Sequence, residues 1–346
     1  MANRFVDGLL RRFRRRGPVH LGDLLFHGIT AAIAVGLLGI VLALVVVLYS
    51  GANPSIVHYG FSFLTGNSWD PNHAVYGLLP IIQGTLVTSA VALLISVPLS
   101  VGAAVFLSEH APRWLRDPVG YVVELLAAIP SVIYGFWGLL VLRPFMRTTI
   151  EPFLQWTVAW VPGAIGGTPA GARPVVAVLI GWGPALFAGT PQGLDLLTAS
   201  VVLAVMVTPT ISAISRESIA AVPNHQREAA LSLGATRWES TRMAVLSYAR
   251  VGIVGGIILG LGRALGETMA ITMTIGNSDS FSGSLLVPGQ TIASLIANKF
   301  TEATEPFHQS ALIEAGLVLL AITLVVNVLA RLLVWRVVRR PGETGA

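Results

Sequence analysis

Residues 24–49 read LLFHGITAAIAVGLLGIVLALVVVLY, 26 positions without one Asp, Glu, Lys or Arg. A helix crossing a bilayer needs about 20 such residues at about 1.5 Å of rise each. The stretch exceeds the apolar core of about 7 to 15 residues of a secretory signal, and no A-x-A-like site closes it, so it reads as a retained anchor. Outward from it, the same test finds five more runs, at 77–107, 121–142, 196–215, 250–275 and 311–335. Pro174 to Ala188 is apolar but short and interrupted by Gly181, Gly183 and Pro184, and is expected to be a short interfacial helix.

Composition agrees with an all-α membrane protein of six transmembrane helices. Of 346 residues 54% are hydrophobic and 11% charged, and the mean hydropathy is +0.74, far from the balance of a soluble domain. The absence of cysteine excludes disulfides, iron–sulfur clusters and thiolate sites. The seven histidines lack H-x-x-x-H or H-E-x-x-H spacing, so no metal and no cofactor is expected in this chain.

Charge placement sets the orientation. Six arginines fall in residues 4–16 and three more, Arg336, Arg339 and Arg340, follow the last run. By the positive-inside rule both termini are cytoplasmic, and a seventh span would part the two Arg-rich ends. The net charge of +5 is thus a topology signal, and no nucleic-acid partner is expected. The expected organisation is a cytoplasmic segment 1–23, a transmembrane domain 24–335 with a cytoplasmic loop 216–249 and extracytoplasmic caps 50–76, 143–195 and 276–310, and a tail 336–346.

Within the spans, Pro80, Pro98, Pro130 and Pro209 are expected to kink helices. Gly252, Gly256 and Gly260 form a small-residue ridge for a neighbouring helix. Glu124 and Glu314 lie near span ends, where water is expected to reach them. Arg263 and Glu267 are different. A charge at mid-membrane costs about 2.5 to 3.5 kcal/mol, whereas an i,i+4 pair returns only about 0.3 to 0.5 kcal/mol. Arg263 lies thirteen residues beyond Arg250, roughly 20 Å along a helix and close to the midplane. On a continuous helix Arg263 and Glu267 share a face with Gly266, Ala270 and Thr274. That face is narrow and polar, with a guanidinium fork suited to phosphate oxygens. Arg263, Glu267 and Thr274 are therefore the candidate substrate pathway, with Glu267 expected to hold the guanidinium when no anion is present.

The loop PNHQREAALSLGATRWES (223–240) reads as helix, hinge and helix. Asn224 is expected to cap a helix running from His225 to Leu233, with Gly234 as its stop. Thr236 to Glu239 fits a capping box. A nine-residue helix is marginal alone. Its face of Ala229, Ala230 and Leu233, rimmed by Arg227 and Glu228, suits a groove on another protein, or equally the bilayer surface.

Glu228-Ala229-Ala230, three residues and Gly234 resemble the cytoplasmic signature of ABC importer permeases. The I-x-L-P continuation of that signature reads here Ala244-Val245-Leu246-Ser247, without the Ile or the Pro. FLTGNSWDP (63–71), YGLLPIIQGTLVTS (76–89), ELLAAIPSVIYGFWG (124–138), LFAGTPQG (186–193) and GLGRALGETMAITMTIGN (260–277) are similar, in order, to stretches of the PstC-type permeases of phosphate-specific ABC importers. The resemblance implies the type I importer permease architecture and inorganic phosphate as substrate. It also implies a second permease subunit, two ATP-binding subunits that hold ATP and magnesium, and an extracytoplasmic phosphate-binding protein. In that family the two positions matching Arg263 and Glu267 are functionally important, and Arg227, Glu228, Ala229, Ala230, Leu233 and Gly234 correspond to the ATPase-coupling segment.

No P-loop is present, since Phe300 follows the only lysine, Lys299. Neither a catalytic triad nor paired carboxylates is apparent, so the chain is not read as an enzyme. The alternatives are a permease for sulfate or molybdate, and an ion-gradient-driven transporter in which Arg263 and Glu267 relay protons. The absence of an inverted repeat weighs against the last.

Overall fold

The computed structural model describes residues 21–159 and 186–338. The expected interfacial helix at 174–188, apart from its last three residues, and the outermost arginines of both termini lie outside the described residues. The chain divides into two compact units, Met1–Gly51 and Ala52–Ala346. The first contributes most of helix α1 (Leu21–Tyr59). Its Leu25, Ile33, Leu38 and Val47 are exposed, and a helix apolar on all sides suits a lipid environment.

The second unit is a helical body. Helix α2 (Leu79–Val105) ends in a wide π turn, Phe106–His110. Helices α3 (Arg113–Ala128) and α4 (Ser131–Trp137) follow, and α4 continues through further π turns into α5 (Glu151–Ala159). Next come α6 (Leu196–Ala220), α7 (Asn224–Ser232), α8 (Arg237–Ser240), α9 (Leu246–Leu265), α10 (Met269–Thr274), α11 (Ile292–Lys299) and α12 (Pro306–Val338). Among the described residues five helices are long and apolar enough to cross a membrane. A sixth arises if the bent pair 114–128 and 131–157 is one span.

That bend is the kink expected at Pro130, but it divides the run at 121–142 into two helices, which corrects the expectation of one helix there. The pair turns by 95° because Pro130 lacks an N–H and forces Ile129 out of helical geometry, to φ −65° and ψ 131°. The Tyr134 hydroxyl donates to the Leu126 carbonyl at 2.7 Å, satisfying a group freed by the break. A second correction concerns 250–275. The helix stops at Leu265 and restarts at Met269, with Gly266 at the cap. Arg263 and Glu267 therefore do not share one helical face.

The core centres on α6, whose Leu203, Met206, Val207 and Ile211 are fully buried against Ala270 and Ile271 of α10 and neighbours on α2 and α4. The glycine ridge packs as expected. A Cβ on Gly260 would stand 2.8 Å from Ile211, and one on Gly256 3.1 Å from Ile214. Close approach of α9 to α6 therefore requires glycine there. At one end of the body a short hairpin, β1 (Trp69–Asp70) with β2 (Val75–Tyr76), buries Phe63, Trp69, Tyr76 and Leu78 against Ile292, Leu295 and Leu312.

Candidate functional site

Arg263 projects from the last turns of α9, and its Nη1 donates to Thr210 Oγ1 of α6 at 3.2 Å. It is half-buried. Glu267 lies in the break after α9, where its carboxylate accepts the Ala270 N–H at 3.3 Å and so caps the start of α10. Among the described residues Arg263 and Glu267 form no ion pair, correcting the expected clasp between them. Thr274 is fully buried and its hydroxyl donates to the Ala270 carbonyl at 2.8 Å. It packs on the Gly138 backbone, in the core rather than on an open face. The structure thus separates the three pathway candidates.

Arg263 faces a cavity of about 780 Å³ between α6, α9 and α12, whose polar lining also includes Thr210, Asn327 and Arg331. No carboxylate lines it. A space lined by guanidinium groups with no acidic partner is electropositive and favours an anion.

The loop between α6 and α9 forms the expected helix, hinge and helix. Pro223, not Asn224, stands at the N-cap of α7, and Asn224 is its first helical residue. Gly234 ends the helix with φ +85°, a left-handed conformation that a side chain would strain. The capping box is complete: Thr236 Oγ1 accepts from the Glu239 N–H at 3.3 Å, and Glu239 Oε2 accepts from the Thr236 N–H at 2.7 Å. Hydrogen bonds to the ionised Glu239 hold its carboxyl below the ordinary carboxylate range. With Ser247 in place of proline, α8 passes through a π turn, Thr241–Val245, into α9 without a break.

Glu228, Ala229 and Leu233 are exposed, Leu233 at 89%. Leu231, Trp238 and Met243 present further uncovered apolar surface. Arg227 is not on that rim, which corrects its expected place. Its Nη2 donates to Glu109 Oε1 at 2.8 Å and to the Ile219 carbonyl at 3.0 Å, and its Nη1 to the Val222 carbonyl at 2.5 Å. The guanidinium thereby closes the C-terminal end of α6 and fastens α7 to the π turn after α2.

The Glu109–Arg227 pair borders a second cavity, of about 550 Å³, lined also by Arg116, Asp117, Glu124 and Arg216. Arg216 is in close contact with Glu124. Arg116 donates to the Leu107 carbonyl at 2.8 Å and to the Ser108 carbonyl. Glu124 is half-exposed in its pair, whereas Glu314 is 5% exposed and so not solvated as expected.

Glu109 was not legible as a partner of Arg227, because the two are 118 residues apart. The only hint is an acid directly after an apolar run and just before Pro112. Asn327 and Arg331 were hidden within a span read only for its apolarity.

Residues 96–339 match the model of the family described as binding-protein-dependent transport system inner membrane component. The chain is 43% identical over 336 residues to the phosphate transport system permease protein PstC of Mesorhizobium japonicum, covering 97% of this chain and 95% of that protein. It is 48% identical over 315 residues to the protein of the same name from Xylella fastidiosa, covering 91% of each. Among solved structures it resembles, with a TM-score of 0.52 and 17% identity, a chain of a bacterial ABC transporter involved in the import of the acidic polysaccharide alginate. That likeness covers 92% of this chain and all of the other and concerns the fold.

Proposed function

The chain belongs to the binding-protein-dependent transport system inner membrane components and, within them, to the PstC-type permeases, and from that premise we propose that it is the phosphate-conducting permease of an ATP-driven importer. It is a membrane transport subunit and not an enzyme. The observation that carries the substrate is identity of 43% and 48% to phosphate transport permeases over nearly the whole chain.

In this reading the protein sits in the bacterial inner membrane with six spans and both termini cytoplasmic. It pairs with a second permease subunit, receives phosphate from an extracytoplasmic binding protein and docks on two ATP-binding subunits that hold ATP and magnesium. The exposed face of α7, Glu228, Ala229 and Leu233, enters a cleft of the ATPase, with Gly234 and Ala230 shaping the turn. Arg227 positions α7 through Glu109. Closure of the ATPases on ATP moves α7 and α8, and α9 carries that movement to Arg263. The body then turns its passage from the outer to the inner side.

Arg263 supplies a forked set of donors to the phosphate oxygens as the anion crosses. Glu267 sets the restart of the helix beside it and offsets the local positive charge. Thr274 contributes by fixing the packing of α10.

The test is uptake by the purified complex in proteoliposomes. Phosphate accumulation that needs internal ATP and resists excess sulfate and molybdate is expected. Equal transport of those oxyanions would reassign the substrate. Uptake driven by an ion gradient with no ATPase bound would overturn the mechanism.

A further inference from the structure

Resting on the phosphate-permease reading, we propose that Asn327 and Arg331 of α12 join Thr210 and Arg263 as a second oxyanion station, one that selects an anion carrying a proton. These four polar groups line the cavity of about 780 Å³ between α6, α9 and α12. On its α9 wall, a Cβ at Gly262 would stand 3.8 Å from the Asn327 amide, and one at Gly255 would meet nothing within 4 Å. The two glycines, seven residues or about two turns apart, leave that wall open beside Arg263.

Arg331 lies four residues after Asn327, on the same face of α12 and about 6 Å further along it. An anion released by Arg263 opposite Gly262 therefore meets Asn327 at the same level and Arg331 one turn beyond. Neither arginine forms an ion pair among the described residues. Forked guanidinium donors spaced by a turn allow hand-over of a tetrahedral oxyanion without a deep trap.

Asn327 supplies selectivity. Its Oδ1 is buried and has no hydrogen-bond partner. A buried acceptor left unpaired costs about 1 to 3 kcal/mol, and one bound to a hydroxyl recovers it. Hydrogen phosphate carries an O–H at neutral pH and satisfies this acceptor. Fully ionised sulfate brings only lone pairs and repels it. Discrimination by a buried polar group that one ligand satisfies and another leaves unpaired is the strongest kind available to a small site.

The experiment uses the full transport complex in proteoliposomes, with labelled inorganic phosphate and competing sulfate. Arg331→Gln is expected to lower phosphate uptake about tenfold, the scale of one lost charge-assisted hydrogen bond. Assembly and ATP hydrolysis should persist. Arg331→Lys should restore only part of the loss; full restoration would show a membrane-surface anchor and overturn the role.

Asn327→Leu is expected to make sulfate a better inhibitor while phosphate uptake falls; unchanged selectivity would overturn the assignment. Because the chain has no cysteine of its own, Asn327→Cys gives an independent reading in an otherwise intact complex. Thiol labelling of this chain should be slowed by phosphate and not by sulfate. An unreactive thiol, or one labelled equally with and without phosphate, would sink the station. Wild-type complex that does not take up phosphate would instead indict the underlying reading.

Discussion

Two cavities in this protein are lined by arginines, and they treat them oppositely. In the smaller, Arg227 is bound by Glu109 at 2.8 Å, Arg216 touches Glu124, and Arg116 is held by backbone carbonyls. In the larger, Arg263 has one hydroxyl, that of Thr210, and no acid faces either Arg263 or Arg331. The first arrangement commits its charges to joining helices, since a guanidinium neutralised by a carboxylate attracts a passing anion only weakly. The second leaves its guanidinium groups without a carboxylate, so their charge remains available to an anion. The contrast separates arginines that fasten helices from those to which conduction is proposed, without reference to sequence motifs.

The largest expected effect is at Arg263. Arg263→Gln should reduce phosphate uptake to below about 1% of wild type, the scale of two charge-assisted hydrogen bonds, while the complex assembles and hydrolyses ATP. Normal uptake by a stably inserted Arg263→Gln protein would erase the distinction between the cavities.

Next comes the fastening pair. With side-chain exposures of 13% for Glu109 and 21% for Arg227, removing one partner leaves a mostly buried charge and costs about 3 kcal/mol. Glu109→Gln should lower the melting temperature of the purified protein and the phosphate moved per ATP, and the exchange Glu109→Arg with Arg227→Glu should recover much of both. If Glu109→Gln altered selectivity between anions instead, the smaller cavity too would be conducting.

A third place is the inverse of both. Glu151 and Asp195 are fully buried, and neither forms an ion pair among the described residues. Asp195 caps α6 by accepting the Thr198 N–H at 2.8 Å, and Glu151 accepts the Gly193 N–H at 3.4 Å. Burial pushes the Asp195 carboxyl above its ordinary range. The folded state therefore keeps a proton that the unfolded chain loses near pH 4. This contribution to stability is full below that pH and is lost as pH rises through the folded value. Melting temperature should fall as pH rises above the range in which the unfolded chain's Asp titrates. Asp195→Asn, which retains a capping oxygen, should flatten that slope; an unaltered slope would place the titration elsewhere.

The smallest effect belongs to Glu124. It is 53% exposed in its pair with Arg216, so Glu124→Gln should cost no more than about 0.5 kcal/mol and leave the melt nearly unchanged.

Much of the fold was legible in the residues. Long apolar runs located helices long and apolar enough to cross a membrane, Thr236 and Glu239 announced their capping box, and the glycine ridge on α9 packed as expected. These are local signals, complete within a few turns. The 95° turn at Pro130 was legible as a kink but not in size, because the angle depends on what α4 packs against. The break at Gly266–Thr268 was missed because the apolar run resumes at Met269 and Glu267 was read as half of a charged pair rather than as the end of a helix. The candidate site was legible only in part. Arg263 stood out through the cost of its charge, but its neighbours Thr210, Asn327 and Arg331 come from two other helices. Glu109 and Arg227 meet across 118 positions, and such distant pairings leave no periodic trace in one sequence.

The uninterrupted helix from Arg237 to Leu265 has a mechanical consequence. Its 29 residues make a rod of roughly 43 Å, with the exposed Trp238 near one end and Arg263 near the other. Were the rod to pivot by about 10° at its centre, each tip would swing by nearly 4 Å in opposite senses, on the rise per residue that sets its length. A push of ordinary size at one tip thus becomes, at the other, a stroke longer than a hydrogen bond, and in the proposed mechanism that stroke is delivered to Arg263.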